Sequence, residues 1–249
     1  MLQFSGPGQV LRTRWRAAGP YRPTNASKAG LLDETRLFLV TYARLDDVDA
    51  AARALTDGAL PQRSRETRLT IVKIIKARLT RWHPPDWVLS ELAGFAASSD
   101  TDTLKAALLL HAARQDALLY DVVLRVITPR WTEHMPEVSR ADVQRFLDAA
   151  EPVHPEIAGW SRETREKLAG NLLSILRDYG LLVGTATKRI VEPIVPAGVV
   201  AHLARLLLAE GLMVEELPRH PDWRLCLWEP ERAARALAGL PGPLELSHA

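Results

Sequence analysis

The chain has 249 residues, 47% of them hydrophobic and 25% charged, a balance that suits a folded globular protein and excludes a disordered one. One cysteine, Cys226, excludes an internal disulfide, and the longest apolar stretches, such as Ala106 to Leu110 and Leu206 to Ala209, fall far short of the ~18 residues of a membrane span; the expected setting is a reducing cytoplasm with no membrane. The net charge of +2 hides an asymmetry: residues 1 to 82 hold fifteen of the 32 basic residues but seven of the 30 acids, a local +8 that leaves −6 for the remainder and suits a polyanion at the N-terminal third.

Residues 1–28 contain no acid, carry Arg12, Arg14 and Arg16 and are broken by Gly6, Pro7, Gly8, Gly19, Pro20 and Pro23, which predicts an irregular basic arm. Apolar residues at helical spacing then predict a helix over Leu31 to Arg44 and a second over Asp46 to Thr56, capped by Asp46 and stopped at Gly58. Past the turn at Pro61, Ser64 caps a long third helix that reaches about Trp82 before His83, Pro84 and Pro85 end it. Three helices on short turns make a helix-turn-helix unit over 29–86.

From Trp87 onward apolar clusters alternate with single polar residues, predicting two or three buried helices that form a connector over 87–136. Its expected core holds Leu92, Leu108, Leu109, Leu119 and Leu124, and His111 falls in its most apolar stretch as a core histidine. A second unit, 137–196, opens with the capping pair Ser139 and Asp142 and a helix to about Ala150. A short link, Pro155 to Trp160, leads to a long helix from Ser161 to Tyr179. Leu181 to Val183 and Lys188 to Val195 flank a polar turn and predict a hairpin, the wing of a winged helix. Residues 197–249 are expected to add a helix from Ala197 to Glu210, a strand around Arg224 to Trp228 and a last helix from Pro230 to Leu240. The expected fold class is therefore mainly α, with two helix-turn-helix or winged-helix units joined by a helical connector and a small β-hairpin wing.

An internal repeat points to function. Ser64-Arg65-Glu66-Thr67-Arg68 recurs as Ser161-Arg162-Glu163-Thr164-Arg165, each copy opening the longest helix of its unit. At the same offset, Val72, Ile75, Leu79 and Trp82 correspond to Ala169, Leu172, Leu176 and Tyr179, one apolar stripe that both helices bury. On the first helix the stripe leaves Arg65, Lys73, Lys76 and Arg81 on the opposite half, where they reach phosphates flanking a major groove while the turn from Arg63 to Arg68 faces base edges. The expected DNA contacts are Arg63, Arg65, Thr67, Arg68, Lys73, Lys76 and Arg81 in the first unit, and Arg162, Thr164, Arg165 and the wing residues Lys188 and Arg189 in the second. Seven Lys or Arg against one acid between Arg63 and Arg81 make the first unit the stronger, since Glu163, Glu166 and Asp178 nearly balance the second.

The order and spacing of Gly30-Leu31-Leu32-Asp33-Glu34-Thr35-Arg36, of the Ser-Arg-Glu-Thr-Arg helix start, and of His154-Pro155-Glu156 to Trp160-Ser161 with Thr164 and Arg165 resemble the BrxA proteins of bacteriophage exclusion (BREX) defence systems. The resemblance covers roughly residues 25 to 200. It implies a helical protein with winged-helix elements that binds duplex DNA without catalysis, beside a methyltransferase, a phosphatase-like protein and an ATPase. Residues after about 200, with Trp223 and Trp228, lie outside it.

Other classes fit less well. There is no glycine-rich phosphate loop, no His-Glu-x-x-His and no Gly-x-Ser-x-Gly, and His83, His111, His134, His154, His202, His220 and His248 are scattered singly, so no catalytic residue, metal or cofactor is expected. No aromatic-studded sheet favours RNA. A protein adaptor within the defence complex is the alternative, drawing on the acidic remainder and on Trp223 and Trp228 as exposed contact residues.

Overall fold

The structure is a computed structural model that describes residues 19–241 except Ser27 and Ala186. Residues 1–18 of the expected basic arm, with Arg12, Arg14 and Arg16, lie outside the described residues. The segment from Tyr21 to Ala26, by contrast, is ordered by specific contacts. Pro23–Ala26 forms a 3-10 turn, and Tyr21 and Asn25 are buried. The Tyr21 ring stacks on His154 with centroids 3.6 Å apart, its backbone N–H donates to Glu156 and its hydroxyl to Asp121. Glycine and proline spacing predicts a loop here because it carries no record of these partners, all of them far along the chain.

The first unit is α1 (Leu32–Leu45), α2 (Val48–Ala54) and α3 (Arg65–Thr80). The cap of α2 is Asp47, not Asp46: the Asp47 carboxylate accepts from the Ala50 N–H at 2.6 Å. Asp46 instead closes α1 in the left-handed region at φ 50, a geometry incompatible with the extended backbone of an N-cap. Ser64 caps α3 as its sequence predicts, accepting from the Thr67 N–H.

The central helices are α4 (Asp86–Ala97), α5 (Thr101–Gln115), and α6 (Ala117–Val122), which runs through a wide π turn at Val123–Ile127 into α7 (Thr128–Thr132). Pro129 cannot donate a backbone bond, and the wide turn lets the helix continue past it. Leu92, Leu108, Leu109 and Leu119 are buried and Leu124 is half-buried. α5 is buried almost all round because it packs on α3, α4, α6 and a later helix at once. One continuous cluster of buried side chains runs from Tyr21 to Ala233, so the central helices share a core with the helices on either side.

The second unit begins with β1 (Glu137–Val138), then α8 (Arg140–Ala150), a 3-10 turn at Pro155–Gly159, α9 (Arg162–Asp178), β2 (Leu182–Val183) and β3 (Lys188–Ile190). The strands form an antiparallel sheet in the order β1-β3-β2, with Leu182 opposite Ile190 and Glu137 opposite Arg189. Two residues are too few to show alternation, which is why β1 is invisible to sequence patterning. The hairpin needs Gly184 at φ +94, where a Cβ would lie 2.5 Å from the Thr187 carbonyl. It ends at Ile190, short of the expected Val195, ahead of Pro193, which has no N–H for a ladder bond. Asp142 accepts from the Ser139 N–H and hydroxyl, both at 2.7 Å. Burial raises its pKa, but these bonds together with Arg130 and Arg145 outweigh it and hold the carboxyl below the usual range.

The C-terminal part is α10 (Ala197–Ala209), 3-10 turns at Val214–Arg219 and Pro221–Cys226, and α11 (Pro230–Ala238). No strand forms around Arg224 to Trp228, where one is expected, and the tryptophans expected at the surface are buried. Trp223 is 1% and Trp228 4% exposed; their rings stack 5.7 Å apart, and the Trp223 indole N–H donates to the Leu217 carbonyl. Leu225 to Trp228 are buried in succession, which the two-residue period of a half-exposed strand cannot achieve. Arg114, fully buried on α5, ties this part to the core through ion pairs with Asp222 and Glu210.

Candidate nucleic-acid interface

α3 buries Val72, Ile75 and Leu79 of the expected stripe together with Ile71 and Arg78, while Trp82, just past the helix end, is half-buried. Its opposite face exposes Arg65, Leu69, Thr70 and Lys73, with Lys76 half-buried beside them. Arg63 stands just before the helix and Arg81 just after it, both exposed. Arg63, Lys73 and Arg81 have no carboxylate partner among the described residues. Arg65 approaches Asp57 at 3.4 Å with both side chains more than 60% exposed, and Lys76 donates to Asp49 at 2.5 Å. Exposed pairs of this kind contribute under about 1 kcal/mol, so a phosphate competes with them readily.

Arg68 has a different place. Its guanidinium donates to the carbonyls of Thr56, Gln62 and Arg63, clamping the turn before α3. Its repeat counterpart, Arg165, donates to the Trp160 and Ile157 carbonyls and pairs with Asp148 and Glu151. The second arginine of the repeat is therefore a local clamp in both units. Thr67 and Thr164 donate their backbone N–H groups to the cap serines, and the Thr164 hydroxyl lies 2.9 Å from that of Ser161. Of the repeated pentapeptide, only Arg65 and Arg162 project into solvent as cations.

The exposed faces of the two long helices differ. On α9, Arg162 pairs with Glu166 and Lys167 with Glu163, each one helical turn apart. Gly170 stands where α3 has Lys73, and the Arg140 guanidinium covers it: a Cβ there would lie 3.1 Å from the Arg140 Nε. Asn171 donates to the Ala26 carbonyl, so the N-terminal 3-10 turn lies against α9. In the hairpin, Arg189 is exposed, but Lys188 is buried and donates to the Thr185 carbonyl at 2.8 Å. Burial and the nearby Arg177 and Arg140 push the Lys188 amine below its usual range. Strand alternation turns Arg189 out and Lys188 in.

The C-terminal ends of α3 and α9 converge on the segment before α1. Buried Arg78 donates to the Gly30 carbonyl at 2.8 Å, the Ala29 carbonyl at 2.9 Å and the Asn25 side-chain oxygen at 3.0 Å. The Tyr179 hydroxyl donates to the same Gly30 carbonyl at 2.7 Å, and the Gly30 N–H to Asp178 at 3.0 Å. Arg78 looks like one more basic-patch residue in the sequence. Its place three residues after Ile75 and four before Trp82 is the signal that it faces inward.

Two of the scattered histidines also meet. His111 on α5 and His202 on α10 approach through their Nε2 atoms at 2.7 Å, and His202 Nδ1 lies 2.6 Å from Glu91 on α4. His111 stacks on Trp82 and is buried, and its Nδ1 has no hydrogen-bond partner among the described residues. Burial, then His202 and Arg114, hold the His111 pKa well below the ordinary value. Among the described residues no three His, Cys, Asp or Glu side chains gather as metal ligands.

This is a mainly helical protein with a small antiparallel sheet and two long helices opened by the same five residues; no described helix is long and apolar enough to cross a membrane. Residues 19–206 match the BrxA family, and the chain belongs to that family. No curated protein matches the sequence. Among solved structures, an uncharacterized protein from Magnetospirillum magneticum is similar, with a TM-score of 0.65 and 18% identity over 84% of this chain and 98% of that one, a likeness of fold alone.

Proposed function

We propose that the protein binds double-stranded DNA without catalysing a reaction on it, as one component of a BREX phage-defence system. Membership of the BrxA family implies the defence role. The observation that carries the DNA reading is the face of α3, where Arg63 and Arg65 stand at the capped start and Lys73, Lys76 and Arg81 follow along the helix, with Glu66 the one acid in the helix itself. A helix of this kind enters a major groove with its N-terminal turn toward the bases and its flanking cations on phosphates. Exposed Leu69, between Arg65 and Lys73, suits a thymine methyl group.

We read the second unit as a winged helix. The order strand, helix, helix, hairpin, with β1 added to the hairpin beside β3, supports this, and Arg162 and Arg189 are its exposed cations. Lys188, Arg68 and Arg165 are left out of the proposed DNA contacts because their donors are used within the fold. Other BREX proteins are the proposed partners, in the cytoplasm. An adaptor role without DNA loses the support of Trp223 and Trp228, though exposed Ile194, Met213 and Val214 leave a surface for one.

The test is a titration against a duplex and a single strand of the same sequence at two salt concentrations. Tighter binding to the duplex, weakened by salt, is expected. Equal binding to both forms, or none to either, rejects the reading.

A further inference from the structure

We infer that Arg78, Gly30 and Tyr179 form a joint that sets the angle between α3 and α9, so that the two capped helix starts engage one duplex together. This rests on the DNA-binding reading and adds to it the residues that govern two-unit engagement. The joint's bonds run between the units. Arg78 belongs to the first long helix and Tyr179 to the end of the second, and both donate to the one carbonyl of Gly30. The Gly30 N–H in turn donates to Asp178 at the close of α9, so this single peptide segment is held by both helices. Asn25 extends the joint by accepting from Arg78 and donating to buried Asp116 at 2.6 Å.

Gly30 has no room for a side chain, since a Cβ would lie 2.6 Å from the Asp178 Cβ and 2.9 Å from its Oδ2. Arg78 is 7% exposed, and its charge is held by the dipoles of the Gly30 and Ala29 carbonyls. Burying a guanidinium in this way is costly unless each donor is placed, and an apolar residue would fill the same stripe position of α3. Directional bonds add a fixed angle, which apolar packing specifies less sharply.

The angle matters because the helices meet at their C-terminal ends and carry their capped starts, with Arg65 and Arg162, at the far ends. The joint residues Arg78 and Tyr179 follow the cap residues Ser64 and Ser161 along α3 and α9, so the capped starts stand about 21 Å and about 27 Å from the joint. A rotation of about 15° at the joint shifts a helix start by about 6 Å, close to two base-pair steps of about 3.4 Å. Two weakly binding modules add affinity only when their geometry allows both to engage. α9, with its cations internally paired, depends on α3 to bring it to the duplex.

The test uses the full chain, duplexes of about 12 and 30 base pairs, and the variants Arg78→Met and Tyr179→Phe, with helical circular dichroism recorded for each. Wild type is expected to bind the long duplex at least about tenfold more tightly per molecule than the short one. Arg78→Met is expected to reduce that ratio about tenfold while its affinity for the short duplex stays within about twofold. Tyr179→Phe, which removes one bond, is expected to reduce the ratio by a smaller factor and decides the matter if Arg78→Met does not fold. A folded variant with the wild-type ratio overturns the joint, as does a wild type that prefers neither length, with DNA binding itself intact. Wild type that binds neither duplex overturns the DNA reading and the joint together.

Discussion

At the scale of residues, a repeated word divides into two jobs. Arg65 and Arg162 project into solvent, whereas Arg68 and Arg165 each clamp the carbonyls of the preceding turn. Arg65→Glu with Lys73→Glu is therefore expected to weaken duplex binding at least about tenfold more than Arg162→Glu with Lys167→Glu, whose cations already face Glu166 and Glu163. Competitive titration with thermal melting of each variant measures this; equal losses would mean that the two helices contribute alike. Arg68→Ala is expected to act on stability instead, by about 1.5–3 kcal/mol for hydrogen bonds from a charged donor, with DNA affinity unchanged once folding is matched. Denaturant unfolding read beside the titration separates the two effects.

At the scale of elements, α4, α5 and α10 are joined by a polar contact that responds to acid. His202 Nδ1 lies 2.6 Å from the Glu91 carboxylate, the Nε2 atoms of His202 and His111 share one hydrogen bond, and His111 Nδ1 has no hydrogen-bond partner among the described residues. His111 is faced by Arg114 from its own helix and by His202 from α10, with Arg205 on the same Glu91. The folded pKa lies below the unfolded value of about 6.5, so the unfolded state takes up the proton first. Stability is full above about pH 6.5 and declines as pH falls below it, by up to about 1.4 kcal/mol per pH unit. Between about pH 6.5 and 5 the melting temperature of wild type is expected to drop more than that of His111→Gln. Parallel curves would show that another group carries the acid sensitivity.

At the scale of the whole molecule, the proposed DNA binding draws its charge from the N-terminal third of the chain. Arg63, Arg65, Lys73, Lys76 and Arg81 are five exposed or half-exposed cations on or beside one helix. If these five meet phosphates, counterion release at about −0.9 per contact lowers affinity roughly a hundredfold for a threefold rise in salt. A titration series between about 50 and 150 mM salt reads the slope directly. A flat response would remove the electrostatic account, while a slope near half this size would place only two or three of the cations on phosphates.

Helix periods, the serine caps and the repeat were legible in the chain, because each depends on residues within about one or two turns of one another, whereas the cap of α2 fell one residue past the expected Asp46. Ser64 and Ser161 cap their helices, the apolar stripe of α3 faces the core, and α10 begins at Ala197, each as local spacing dictates. The strand β1, the burial of Trp223 and Trp228 and the inward turn of Lys188 were decided by tertiary contacts. So were the meeting of His111 with His202, 91 positions apart, and the convergence of Arg78 and Tyr179 on Gly30. A cation's type and helical angle say that it can reach solvent or phosphate. Whether it does depends on which distant carbonyls the fold brings within hydrogen-bond reach, and that separates Arg65 and Lys73, left to solvent, from Arg68 and Arg78, held inside.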